Sequence, residues 1–165
     1  MENEFTELVN QHRMLIFKVC NFYCADGESR KDLFQEIVLQ LWRSYPAFRK
    51  ESANTTWIYR IALNTAISNF RKESKRPASS ELSALQVEIP DMAGDDDMQA
   101  GFNILRLAID KLTEVEKAVI LFYLDERTYE EISMIMGIST SNVGVKINRI
   151  KNKLSKIVKT QSNEY

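Results

Sequence analysis

Glycine and proline are scarce in this chain, with 5 and 3 among 165 residues. Long stretches contain neither, which argues against a turn-rich β fold and leaves helices as the default. No apolar run approaches the roughly 18–20 residues that span a bilayer. The acidic start Met1-Glu2-Asn3-Glu4 lacks the basic start and apolar core of a signal peptide, so a cytoplasmic location is expected. Cysteine is limited to Cys20 and Cys24, four apart and therefore on neighbouring turns of one helix face. They are either a metal or redox pair, or small buried apolar residues of a reducing compartment. The single histidine, His12, falls inside an amphipathic helical pattern. Glycine-rich phosphate loops, metal-ligand clusters and nucleophile motifs are missing, so neither an enzyme nor a cofactor or metal is expected.

Apolar residues make up 44% and charged residues 27%, the balance of a globular protein of one ordinary or two small domains. The formal net charge of −1 hides a segregation. Residues 1–76 carry 12 basic and 9 acidic side chains, net +3; residues 77–103 carry 6 acidic and no basic ones, net −6; residues 104–165 carry 10 basic and 8 acidic ones, net +2. Within 140–159 there are six basic residues and no acid. Local patches of this kind steer nucleic-acid binding whatever the overall balance.

Hydrophobic spacing predicts a helix over 5–24, a second from about Ser29 to Tyr45 and a third from Thr55 or Thr56 to the basic cluster Arg71-Lys72 and Lys75-Arg76. In the second helix Leu33/Phe34, Ile37/Val38 and Leu41/Trp42 recur every four residues and define one buried stripe, which Pro46 ends. Residues 77–100 lack a sustained period and contain two prolines, several serines and Asp95-Asp96-Asp97, the composition of a flexible linker. Helical signals resume with Ile104 to Leu112. Thr113 and Glu116, and again Thr128 and Glu131, stand at capping-box spacing before apolar runs.

The stretch from Thr128 to Leu154 carries the most specific signal. A short capped helix ends at Gly137, Ile138 follows, and Ser139 caps a last helix that runs to about Lys159. In that helix Val143, Ile147, Ile150, Leu154 and Ile157 form an apolar stripe, while Lys146, Arg149, Lys153 and Lys156 advance by 3, 4 and 3 on another face. A Ser/Thr/Asn-rich first half followed by a basic half suits entry into the major groove with phosphate anchoring. The alternative is a capped helical hairpin with a solvated basic face.

Three further segments bring the two halves together: Asp32-Leu33-Phe34-Gln35-Glu36 with Leu41-Trp42; Phe48-Arg49 followed by Thr56-Trp57-Ile58-Tyr59-Arg60-Ile61-Ala62 and Asn64-Thr65-Ala66; and Tyr129-Glu130-Glu131-Ile132 through Gly137-Ile138-Ser139 to Arg149 and Leu154. In this order and at these separations they resemble a bacterial RNA polymerase sigma factor of the small extracytoplasmic-function (ECF) type within the sigma-70 family. The resemblance covers about residues 5–76 and 104–158. It implies an all-α fold of two small helical domains joined by an acidic flexible linker: sigma region 2 over 1–76, the linker over 77–103, and sigma region 4 with the helix-turn-helix over 104–165. The implied function is to bind core RNA polymerase and to recognise and melt −10/−35 promoter DNA. The implied partners are the β′ and β subunits, promoter DNA and, for many relatives, an anti-sigma factor.

The resemblance also assigns residues. Asp32, Gln35, Glu36 and Leu39 match the positions that dock on the polymerase. Phe48, Arg49, Asn54, Thr56, Trp57, Arg60, Asn64, Arg71 and Lys72 match the −10 and melting segment. Bases leaving a duplex need aromatic or amide surfaces and nearby positive charge, which these residue types supply. Phe48 and Trp57 read equally as core residues. Ser141, Asn142, Lys146, Arg149 and Lys153 match the −35 contacts, and Gly144 stands where many relatives have lysine. A stand-alone helix-turn-helix regulator is the alternative; the Asp32/Gln35/Glu36 helix and the Trp57 segment argue against it.

Overall fold

The fold is that of a computed structural model, which describes residues 1–24, 26–74 and 96–163. The described residues form eight α-helices and one 3-10 turn, and the chain divides into two compact units. Their secondary structure is helical throughout, as the glycine and proline content implies.

The first unit holds α1 (Glu2–Gln11), α2 (Arg13–Tyr23), α3 (Gly27–Ser44), a 3-10 turn (Tyr45–Ala47) and α4 (Asn54–Ser74). The single helix expected over 5–24 is two helices. His12 breaks it with φ −111° and ψ 14°: its N–H bonds the carbonyls of Leu8 and Val9, and its carbonyl accepts from Leu15 and Ile16. The break explains the sequence pattern, because Phe5 alone is buried from α1 while Leu15, Ile16, Val19, Cys20 and Tyr23 are buried from α2. His12 therefore sits at a junction and not inside a helix.

Asp26 caps α3 by accepting from the Ser29 N–H at 3.0 Å, and that bonding holds its carboxyl below the usual range. The paired stripe of α3 splits. Leu33, Ile37 and Leu41 are fully buried, Phe34 and Val38 are half-buried, and Trp42 is 38% exposed. Neighbouring helix positions lie about 100° apart, so the second member of each pair turns out of the core. Ile58, Tyr59, Ala62, Leu63 and Ala66 of α4 close that core against α2 and α3. Truncating one of these central side chains, Ile37→Ala for example, would cost about 2–5 kcal/mol.

The second unit holds α5 (Asp96–Asp110), α6 (Glu114–Leu124), α7 (Tyr129–Met136) and α8 (Thr140–Ser162). Helix α5 starts at Asp96, eight residues before the expected Ile104, so Asp96 and Asp97 of the acidic run are helical. Asp95, like Lys75 and Arg76, lies outside the described residues. Thr113 and Glu116 form the full capping box of α6, with bonds of 3.2 and 3.3 Å. At α7 only half of the expected box forms. Thr128 accepts from the Glu131 N–H, but the Glu131 carboxylate turns to Arg127 at 3.5 Å.

The turn after α7 works as its residues dictate. Gly137 adopts φ +70°, the left-handed region open to glycine, and its N–H bonds the Ser133 carbonyl at 2.9 Å. The Ser133 hydroxyl donates to the Ile138 carbonyl, and Ser139 caps α8 by accepting from the Asn142 N–H at 3.1 Å. Val143, Ile147, Ile150 and Leu154 then face inward onto Val119, Phe122, Ile132 and their neighbours, with Ile157 only half-buried. One charge enters this interior. Lys117 is 4% exposed, and its burial lowers its pKa while Asp110 and Glu114 oppose that shift.

Candidate nucleic-acid and polymerase interface

On the first unit, Asp32, Gln35, Glu36 and Leu39 lie at i, i+3, i+4 and i+7 of α3 and form one ridge. Asp32 and Gln35 are exposed, Leu39 is 41% exposed, and Glu36 is half-buried. The ridge separates two grooves. On one side Gln35, Val38, Leu39 and Trp42 join Phe5 and Thr6 of α1 in a mostly apolar groove. On the other, Glu36, Gln40 and Ser44 of α3 face Asn64, Ser68 and Lys72 of α4 across a polar groove. Glu36 accepts from the Gln40 amide at 2.8 Å, so its carboxylate is oriented along the polar side.

The segment between the 3-10 turn and α4 contains Lys50, whose φ of 57° lies in the left-handed region. Phe48 and Trp57 stack at 4.3 Å between centroids with 21° between planes. The ring series continues through Tyr45 (6.4 Å from Trp57), Phe5 (5.3 Å from Tyr45) and Trp42 (4.9 Å from Phe5). Phe48 and Trp57 are both half-buried, so burial alone does not choose between the two roles that the sequence left open. Thr56, at 7% exposure, faces the interior in helical register with Tyr59 and Leu63, unlike the other residues matched to this segment. Arg49, Asn54, Arg60, Asn64, Arg71 and Lys72 are exposed. Gln40, Ser44 and Ser68 join Asn64 and Lys72 in the polar groove without having been expected there. The signal for Gln40 was its position one turn beyond Glu36.

On the second unit, Asn142, Lys146, Arg149, Lys153 and Lys156 of α8 repeat at 4, 3, 4 and 3 and share one face clear of the buried stripe. Ser141 is exposed beside them in the first turn. Lys153 is not at liberty on that face: its Nζ lies 2.9 and 3.4 Å from the two carboxylate oxygens of Glu116 on α6. Lys151 belongs to a different side, with its Nζ 4.4 Å from the centre of the Tyr123 ring; a hydrogen bond with Tyr123 raises its pKa. A Cβ built on Gly144 would stand 3.5 Å from the Tyr129 ring.

The cysteines stand apart from both surfaces. Cys20 is fully buried, and burial pushes its thiol up to about 12; burial and nearby carboxylates push Cys24 up to about 11. Among the described residues there is no group of three or more His, Cys, Asp or Glu side chains able to hold a metal, and no helix long and apolar enough to cross a membrane.

Comparison with known proteins places this geometry. The family model of sigma-70 region 2 matches residues 8–76, and that of sigma-70 region 4 matches residues 102–154. The ECF RNA polymerase sigma-E factor of Escherichia coli (strain K12) is 27% identical over 173 residues, covering 96% of this chain and 90% of the relative. The protein of that name from Haemophilus influenzae is 28% identical over 169 residues, covering 93% and 89%. The sigma factor RpoE from Bartonella quintana, solved in complex with the anti-sigma factor NepR, has the same fold with a TM-score of 0.71 at 20% identity, covering 94% of this chain and 97% of that one. CnrH, solved with the cytosolic domain of CnrY, gives 0.68 at 17% identity, covering 97% and 90%.

Proposed function

The chain belongs to the sigma-70 family, in its ECF branch, and from that premise we propose how its two units share promoter-specific initiation. As a sigma factor it binds core RNA polymerase and directs it to promoters. Residues 1–76 act as region 2, 77–103 as the connection and 104–165 as region 4. The observation that carries the assignment is that each of the two units matched by the family carries an exposed surface of the chemistry its role needs.

The ridge Asp32/Gln35/Glu36/Leu39 docks on the β′ subunit. Two carboxylates, an amide and an exposed leucine on one face suit a partner helix of basic and apolar side chains. The α4 face and the loop before it take the −10 element. Phe48 and Trp57 supply a stacking surface, Arg49 and Asn54 flank it, and Arg60, Arg71 and Lys72 supply charge for phosphates. The polar groove lined by Gln40 and Asn64 offers amide donors and acceptors to the edge of an unpaired base. In α8, Ser141, Asn142, Lys146 and Arg149 read the −35 element from the major groove, with Lys153 at the phosphate end. The β subunit is the further polymerase partner. An inhibitory protein of the anti-sigma kind, as in the RpoE structure, is the proposed regulator. The chain contributes recognition and melting, not bond chemistry, and works in the cytoplasm where core polymerase meets the chromosome.

Run-off transcription with core polymerase on promoters of the source genome tests this. The expected result is initiation at a narrow promoter set, with Lys146→Ala and Arg149→Ala lowering transcription from −35-dependent promoters while polymerase binding is retained. Loss of polymerase binding in folded alanine variants would move the site elsewhere.

A further inference from the structure

The basic face of α8 carries an internal counter-ion. Glu116 is the third residue of α6 and closes the capping box with Thr113, yet its carboxylate also receives Lys153 from 37 positions away at 2.9 Å. Burial alone would raise the carboxyl pKa, but the bonds from Lys153 and Thr113 hold it below its usual range, so the carboxylate stays charged. The two side chains are 43% and 26% exposed, for Lys153 and Glu116 respectively, so the pair is reachable from solvent. Arg149 and Lys146, one and two turns earlier on the same face, have no such acid: among the described residues neither is in an ion pair.

We propose that Glu116 withholds Lys153 from the DNA backbone and so acts as a brake on DNA binding by α8. The proposal rests on the reading of α8 as the −35 surface. A phosphate that engages Lys153 must displace a carboxylate already bonded to it, and the carboxylate left behind repels the phosphate. The face therefore presents one fewer effective cation than its composition implies. A weak intrinsic hold on DNA of this kind makes promoter capture depend on the polymerase.

The test uses the full chain and a duplex of random sequence, because phosphate contacts carry no sequence information. Glu116→Gln removes the charge and keeps the cap, since glutamine serves the same capping-box position. Each phosphate neutralised adds about −0.9 to the slope of log affinity against log salt. Glu116→Gln is expected to bind DNA more tightly than the wild type and to steepen the slope by about 0.9, so its advantage shrinks about threefold between about 50 and 200 mM salt. Lys153→Gln added to Glu116→Gln should return the slope to the wild-type value. An unchanged slope, or weaker binding by Glu116→Gln, overturns the proposal. Lys146→Ala and Arg149→Ala separate the two levels. If they leave binding unchanged, α8 is not the DNA surface and both readings fall; if they weaken it while Glu116→Gln keeps the wild-type slope, only the brake falls.

Discussion

Gly144→Ala is expected to stabilise the second unit by about 0.5–1 kcal/mol. Gly144 lies inside α8, and the one glycine with positive φ among the described residues is Gly137, so the backbone at 144 suits any L-residue. A helix-interior glycine costs about 0.8–1.0 kcal/mol relative to alanine, mainly through the extra freedom of the unfolded chain. The new methyl would meet Tyr129 ring carbons at 3.5 and 4.0 Å, ordinary van der Waals contact that requires no movement. Neither a steric penalty nor a lost bond opposes the gain. Amide hydrogen exchange is the suitable assay because it resolves the two units. Val143, Ile147 and Ile150 should exchange about two- to fivefold more slowly where opening of the second unit limits exchange, while Ile37 and Leu63 keep their rates. Faster exchange in α8, or equal slowing in the first unit, would refute the reasoning.

Reversing the ridge charges with Asp32→Lys and Glu36→Lys should abolish assembly with core polymerase while thermal stability changes little, because neither side chain is in the core; wild-type affinity in a polymerase pull-down would sink the docking assignment. Lys50→Gly should stabilise the first unit by up to about 1–2 kcal/mol by relieving a left-handed lysine, offset by the entropy of glycine, and a lower urea midpoint would contradict it. With thiol pKa values raised to about 12 and 11, Cys20 and Cys24 remain protonated at pH 8 and should alkylate far more slowly in the native protein than in urea. Their deprotonation is displaced upward in the folded state, so the stability tied to the protonated thiols is present at neutral pH and is lost as pH rises past the unfolded value near 8.5 towards those folded values.

The parts of this fold that were legible in the sequence are those where a local pattern has one physical solution. Ser139 before a helix, Gly137 after one, and Val143/Ile147/Ile150/Leu154 at alternating spacing each specify a cap, a left-handed turn and a buried stripe without reference to the rest of the chain. The break at His12 was not legible, because residues on both sides keep helical spacing and no glycine or proline marks it. The early start of α5 was hidden by composition, since acidic residues serve a first turn as well as a linker. The burial of Thr56 was not legible from the motif it matched, because it follows from helical register with Tyr59 and Leu63. The Lys153–Glu116 pair joins positions 37 apart, and neither residue type names its partner. Periodicity finds faces, while partners across helices need the folded backbone.

The ring series has an optical consequence. The chain has two tryptophans, Trp42 and Trp57, and both lie in the first unit, bridged through Phe5 and Tyr45. Tryptophan emission is thus a private channel of that unit. Displacing Phe48 from the Trp57 face changes the environment of one fluorophore, so the proposed insertion of melted DNA there would register as a spectral shift. Occupancy of α8 registers instead through the weaker emission of tyrosines, Tyr123 and Tyr129 among them. One cuvette can therefore time the opening of the duplex separately from its upstream capture, with no label attached.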